Sequence, residues 1–184
     1  MMRDHYDGTV LDMSGQEFHD IGASNGQIPY RTHPLTWSSN NKNYLNERPI
    51  GTQQTGWNYV ATTRSWMPQP LKGVLWFGAD DSATTPHLPL YGSTTRAPKE
   101  YAGKGVQDGV ISPMLKFNLR SAFYAFNLVA NWAYTRWNLI YPELHTKIIT
   151  IENKLQQSLA EMDNKAQQML ENTNTNTNTN TNTN

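Results

Sequence analysis

The apolar residues of this 184-residue chain change their period part-way along it, and that change limits the possible folds more than any other feature. Between Gly56 and Pro68, Trp57, Tyr59, Ala61, Thr63 and Ser65 alternate with Asn58, Val60, Thr62, Arg64 and Trp66, a composition that predicts a strand. Val74-Leu75-Trp76-Phe77 is a short unbroken apolar run and predicts a second strand buried on both faces, reached by a hairpin through Pro68-Gln69-Pro70. A third strand is expected from His87 to Tyr91, closed by Gly92. Over residues 119–140 the spacing becomes helical, with Phe123, Phe126, Ala130, Ala133, Trp137 and Ile140 on one broad face. Pro142 then marks the expected start of a long amphipathic helix whose stripe runs through Leu144, Ile148, Ile151, Leu155, Leu159, Met162, Ala166 and Met169. Glu143, Lys147, Glu152, Lys154, Glu161, Asp163 and Lys165 read as its solvated side, and the stripe must be covered by the preceding helix or by a segment outside this chain. Strands followed by helices predict an α+β or layered sandwich fold.

The two ends of the chain are simpler. Residues 1–56 are rich in Gly, Asn, Ser and Pro and read as loops carrying short elements. Residues 172–184 are an unbroken Asn-Thr alternation with no apolar side chain, so a disordered tail is expected after a single folded unit over 1–171. Fifteen Lys and Arg balance fifteen Asp and Glu, and the resulting net charge of zero removes the electrostatic basis for a nucleic-acid or anionic-membrane partner. The most apolar stretch is broken by Asn127, Asn131 and Arg136, which makes it a poor membrane span, and the first residues are too charged for a secretory signal. A cytoplasmic location is favoured, with any signal peptide lying upstream of this chain. There is no Cys, so disulfides, thiolate metal sites and a thiol nucleophile are all excluded from these residues.

Several clusters could carry chemistry. Arg3-Asp4-His5-Tyr6-Asp7-Gly8-Thr9 groups two carboxylates with a cation and an imidazole. His5 and His19 with Asp4 or Asp7 could ligate zinc, but their spacing fits no helix-borne ligand pattern, and the simpler reading is a turn with Arg3 paired to Asp4 or to a distant carboxylate. No metal or other cofactor is expected. Arg48, Gln53, Gln54 and Thr55 precede the first strand, where a guanidinium could clasp a carboxylate and amides could donate to an oxyanion. The alternative for that loop is a set of polar groups satisfying buried backbone. Asp80 and Asp81 adjoin a strand end, so their side chains face opposite ways and capping of the following turn is the expectation. Ser and Thr are numerous, yet no nucleophile-elbow pattern or Ser-His-Asp spacing activates any of them.

Four ordered blocks resemble one family. RDHYDGTVLDM at 3–13, RPIGTQQTGWNYVATTRSWMP at 48–68, GVLWFGADD at 73–81 with PLYGSTTRAP at 89–98, and SAFYAFNLVANWAYTRWN at 121–138 are similar to the C-terminal part of the cysteine dipeptidases akin to dipeptidase A. The resemblance implies an N-terminal-nucleophile hydrolase built as a four-layer αββα sandwich, of which this chain is the C-terminal portion. It implies a small dipeptide as substrate, attacked by an N-terminal Cys whose own α-amino group is the base. That Cys is expected upstream of this chain, on a missing N-terminal portion of the same protein, so catalysis is not expected from these 184 residues alone. Arg48, Gln53, Gln54 and Thr55 are the expected substrate-binding residues. A non-catalytic structural or interaction protein, using its aromatic-rich helices, is the alternative.

Overall fold

The computed structural model describes residues 2–10, 12, 14, 29, 36–45, 49–101 and 117–180. Strands β1 (Thr36–Ser39) and β2 (Lys42–Leu45) form an antiparallel hairpin closed by Asn40 and Asn41, whose φ values of 50° and 58° suit a two-residue turn that matches strand twist. Strands β3 (Trp57–Thr63), β4 (Gly73–Ala79) and β5 (Leu88–Tyr91) form a second antiparallel sheet in that order. All three follow the sequence reading closely. The β3–β4 connection contains a 3-10 turn at Gln69–Leu71, and Met67 and Leu71 bury themselves beneath it. Pro89 sits in the edge strand β5, where its missing N–H is tolerated.

Helix α1 (Ala122–Thr135) ends at Arg136, and helix α2 (Trp137–Asn180) begins at once. The break therefore falls at Arg136, with φ −149° and ψ 60°, and not at Pro142, which lies inside α2. Aromatic stacking accounts for the difference: Trp137 turns inward to lie 4.7 Å from the Tyr134 ring and 3.9 Å from the Tyr141 ring. Pro142, near the start of α2, forfeits only one backbone hydrogen bond there. At the other end α2 continues through Asn180, into the repeat that the sequence reading leaves disordered. Extension of a helix already nucleated costs only the propensity deficit of Asn and Thr, up to ~0.7 kcal/mol per residue.

The sheet has two unlike faces. Val60, Thr62, Val74, Trp76 and Tyr91 point toward α2, whose Ile148 and Leu159 are buried, while Leu144 and Leu155 are half-buried. Of the expected α2 stripe, Ile148 and Leu159 are thus buried and Leu144, Leu155 and Ala166 half-buried, while Ile151, Met162 and Met169 stay 44%, 46% and 70% exposed. On the opposite face Trp57 stacks on Tyr59 and Phe77, and Phe77 meets Tyr101 edge-on. Trp57 is 62% exposed and Tyr59 48% exposed. Leu75 and Phe77 on that face, and Trp76 on the α2 face, are half-buried where the sequence reading has β4 buried on both sides. A smaller core of Ala83, Ala133, Tyr134 and Trp137 joins α1, the start of α2 and the β4–β5 loop.

Ile148 is 1% exposed and Met169 is 70% exposed on the same helix, so the two sites separate burial from helix propensity. Ile148→Ala should lower stability in urea by about 2–4 kcal/mol, and Met169→Ala by less than about 0.5 kcal/mol. Equal losses at the two positions would contradict the packing of α2 against the sheet.

Candidate functional site

The polar groups of this chain collect at one end of the three-stranded sheet, where β3 begins, β4 ends and β5 begins. The N-terminal segment is held there by Gly51, whose N–H donates to the Asp4 carbonyl at 2.9 Å. A Cβ at Gly51 would lie 3.0 Å from His5 Cε1 and 3.2 Å from the Arg3 carbonyl carbon, so this approach needs glycine. Arg3 then reaches across the β4–β5 loop, donating from Nε to the Ser82 carbonyl at 2.7 Å and from Nη2 to the Thr85 carbonyl at 3.0 Å. Its two terminal nitrogens grip the Glu152 carboxylate of α2 at 2.5 and 3.2 Å. The distant carboxylate expected for Arg3 is therefore Glu152.

From Glu152 a chain of hydrogen bonds runs back into the sheet. Glu152 Oε1 accepts the His87 backbone N–H and faces His87 Nδ1, each at 2.9 Å. Asn58 Nδ2 donates to the Asp80 carbonyl at 3.0 Å, which turns Asn58 Oδ1 toward His87 Nε2 at 2.5 Å and makes that nitrogen the proton donor. Gly78 leaves room for this amide, since a Cβ there would lie 3.0 Å from Asn58 Oδ1. The Asp80 carboxylate accepts from Asn127 Nδ2 of α1 at 3.2 and 3.4 Å.

Environment separates the two acids. Burial alone would raise the Glu152 carboxyl, but the hydrogen bonds from His87 and Arg3 and the guanidinium charge outweigh it and hold the group at about 2. Asp80 is 3% exposed, and burial pushes its carboxyl up to about 6 despite the Asn127 bond. It also holds a left-handed φ of 73°, which Asp tolerates better than most side chains. Asp81 faces the other way, accepting the Tyr134 hydroxyl at 2.6 Å and capping the turn through the Ala83 N–H at 3.1 Å, as strand alternation leads one to expect. His5 is 3% exposed, its Nε2 has no partner, and burial lowers its pKa against the pull of Asp81 and Asp7.

Beside this network lies a cavity of about 340 Å³ between β3 and α2. Val60 and Trp76 supply its apolar wall, and Arg3, His87, Glu152 and Gln156 its polar one. Its size and mixed lining suit a small polar molecule with an apolar group.

Of the residues expected to bind substrate, Gln53, Gln54 and Thr55 lie at the same sheet end without entering that network. Gln53 and Thr55 are half-buried and Gln54 is exposed. The Thr52 hydroxyl donates to the side-chain oxygen of Gln54, and the Thr55 N–H closes a turn on the Thr52 carbonyl at 3.0 Å. Arg48 and His19 fall outside the described residues. No group of three metal-ligating side chains gathers among the described residues, and no described helix is long and apolar enough to cross a membrane. The sequence reading missed Glu152 and Asp163, placing both on the solvated side of the long helix. Glu152 is in fact bound to Arg3 and His87, and Asp163 to Arg64 and Tyr91. Their signal was present: each follows a buried stripe residue, Ile148 or Leu159, by four positions, and so shares the packed face.

Residues 1–149 match the family model described as peptidase family C69. The chain belongs to that family. No match was found among curated proteins or among solved structures. Membership bears out the similarity to cysteine dipeptidases akin to dipeptidase A, and it makes the chain part of a hydrolase family that acts on peptides. Arg3, Asn58, Asp80, His87 and Asn127 lie inside the C69 span, while Glu152 lies just past it.

Asp80 generates a pH prediction. Its carboxyl is raised from an ordinary 3.8 to about 6, so the folded state holds the proton more tightly than the unfolded chain. The stabilisation is complete below about 4 and is lost as pH rises through about 6. Urea midpoints of the natural chain should fall across that window relative to those of Asp80→Asn. Parallel pH profiles for the two proteins would show that Asp80 titrates normally.

Proposed function

We propose that this C69 chain forms the C-terminal part of a cysteine dipeptidase with an αββα sandwich fold, working with a nucleophilic Cys carried on a segment other than these 184 residues. The observation that carries the reading is the pairing of C69 membership with the complete absence of Cys. The exposed aromatic face of the sheet supports it. A sheet with a helix on one face and Trp57, Tyr59 and Phe77 on the other has the lining expected of an inner sandwich layer that packs on a second sheet.

In this reading the sheet end supplies the pocket rather than the attack. A thiol activated by an adjacent amine forms and releases the acyl-enzyme. Arg48 binds the substrate carboxylate, and Gln53, Gln54 and Thr55 line the approach as hydrogen-bonding groups. Gly51 of the loop before β3 bonds the Asp4 carbonyl, and Arg3 beside it fastens that N-terminal segment to the β4–β5 loop.

The purified chain should show no turnover of dipeptides, because it carries no Cys to attack the amide. Co-expression with a Cys-bearing N-terminal segment from a C69 dipeptidase should restore hydrolysis, and Cys→Ala in that segment should abolish it. Turnover by the chain alone that survives repurification, or restored turnover that survives Cys→Ala, would contradict the proposal.

A further inference from the structure

The two edges of the three-stranded sheet are built differently. Edge strand β5 has only four residues, contains Pro89, and is tied to α2 by the Tyr91 hydroxyl on Asp163 at 2.7 Å. These are the devices that keep an edge from pairing with another chain. Edge strand β3 has none of them. It runs seven residues, Trp57-Asn58-Tyr59-Val60-Ala61-Thr62-Thr63, without Pro, without a charged side chain and without a bulge in its register with β4. Trp57, Tyr59 and Val60 are 62%, 48% and 46% exposed.

The outward-facing backbone groups of β3 can be identified. The Arg64 N–H donates to the Lys72 carbonyl and the Asp80 N–H to the Gly56 carbonyl, both at 2.8 Å, so even-numbered positions bond toward β4. Trp57, Tyr59, Ala61 and Thr63 therefore aim their N–H and C=O groups away from the sheet, and among the described residues no strand meets them.

We propose that two copies of this chain pair through β3, antiparallel about a two-fold axis at Val60. This register uses the whole strand and sets Tyr59 opposite Ala61 and Trp57 opposite Thr63, so that each large ring meets a small side chain. The same pairs bring together the four outward-facing backbone positions, so that each exchanges two hydrogen bonds with its counterpart. Val60 faces Val60 on the α2 side, next to the cavity that it helps to line. No charge on β3 and a net charge of zero for the chain leave no electrostatic repulsion to oppose the approach. The surface is isologous, as a two-fold interface must be. It uses the hydrogen-bonding edge of the sheet and does not rest on the peptidase reading, which concerns the aromatic face.

The absence of Cys makes the test clean, since any disulfide reports an introduced residue. Val60 opposes itself in a non-hydrogen-bonded pair with a Cα separation of ~4.5 Å, within disulfide range. Under a mild oxidant Val60→Cys should form a covalent dimer at least about tenfold faster than Ala61→Cys, whose counterpart across the axis is Tyr59. Tyr59→Cys mixed with Ala61→Cys should cross-link where either alone does not, a second route should Val60→Cys fold poorly. Light scattering on the natural chain should show a concentration-dependent dimer. A monomer at all concentrations overturns the proposal and assigns the edge to another segment or partner. Equal cross-linking at positions 60 and 61 also overturns it, as unspecific association.

Discussion

The grip of Arg3 on Glu152 organises the rest of the structure. The two residues are 149 positions apart, and their side chains are 21% and 15% exposed. Removing two charges this far from water costs several kcal/mol, which their attraction offsets only when the remaining donors and acceptors are also satisfied. They are satisfied here. Arg3 spends other N–H groups on the Ser82 and Thr85 carbonyls, and Glu152 accepts the backbone N–H of His87 and lies 2.9 Å from its ring Nδ1. One ion pair thereby fixes the N-terminal segment, the β4–β5 loop and the long helix against one another. Its value lies in that arrangement more than in net stability, because a pair of this kind contributes little by itself and costs much when half of it is removed.

Everything polar at the sheet end follows from this anchor. With His87 held by Glu152, its Nε2 points at Asn58, and the Asn58 amide is oriented by the Asp80 carbonyl. The Asp80 carboxylate is left to Asn127 of α1, so the network crosses from one helix, through the sheet, to the other. A second ion pair does similar work at the far end of the sheet: Arg64 holds Asp163, which also accepts the Tyr91 hydroxyl, tying α2 to the β3–β4 turn and to β5. Two carboxylates on one helix face thus set how α2 lies on the sheet, while Ile148 and Leu159 between and beside them supply the apolar contact.

How much of this was legible in the sequence depended on the range of the interaction. Strands β3, β4 and β5 could be read because alternation, Pro and Gly act locally, and the turn at Asp81 followed from chain geometry alone. The helix break at Arg136 could not, since Pro142 carries the obvious local signal and the deciding contact is the stacking of Trp137 between Tyr134 and Tyr141. Glu152 and Asp163 were hidden for a related reason. A carboxylate in a helix reads as solvated unless its cation is known, and Arg3 and Arg64 are 149 and 99 residues away. The loop before β3 carries polar residues that the sequence shows directly, but the side chains that converge at that end of the sheet, His87, Asn58 and Asp80, come from three separate strand ends. The family could be read from ordered blocks because those blocks preserve local chemistry, such as the Arg3 motif and the β4–β5 segment, whose purpose emerges only on folding.

The most direct test of this account is a double-mutant cycle on the pair that anchors it. Arg3→Gln, Glu152→Gln and the double variant should be compared in urea at neutral pH, where Glu152 is fully ionised. A buried, hydrogen-bonded pair that organises its surroundings predicts a coupling energy of about 2–3 kcal/mol, with the double variant hardly less stable than either single one. A coupling below about 0.5 kcal/mol, the range of an ordinary surface ion pair, would show that the N-terminal segment, the β4–β5 loop and the long helix are held together by something else.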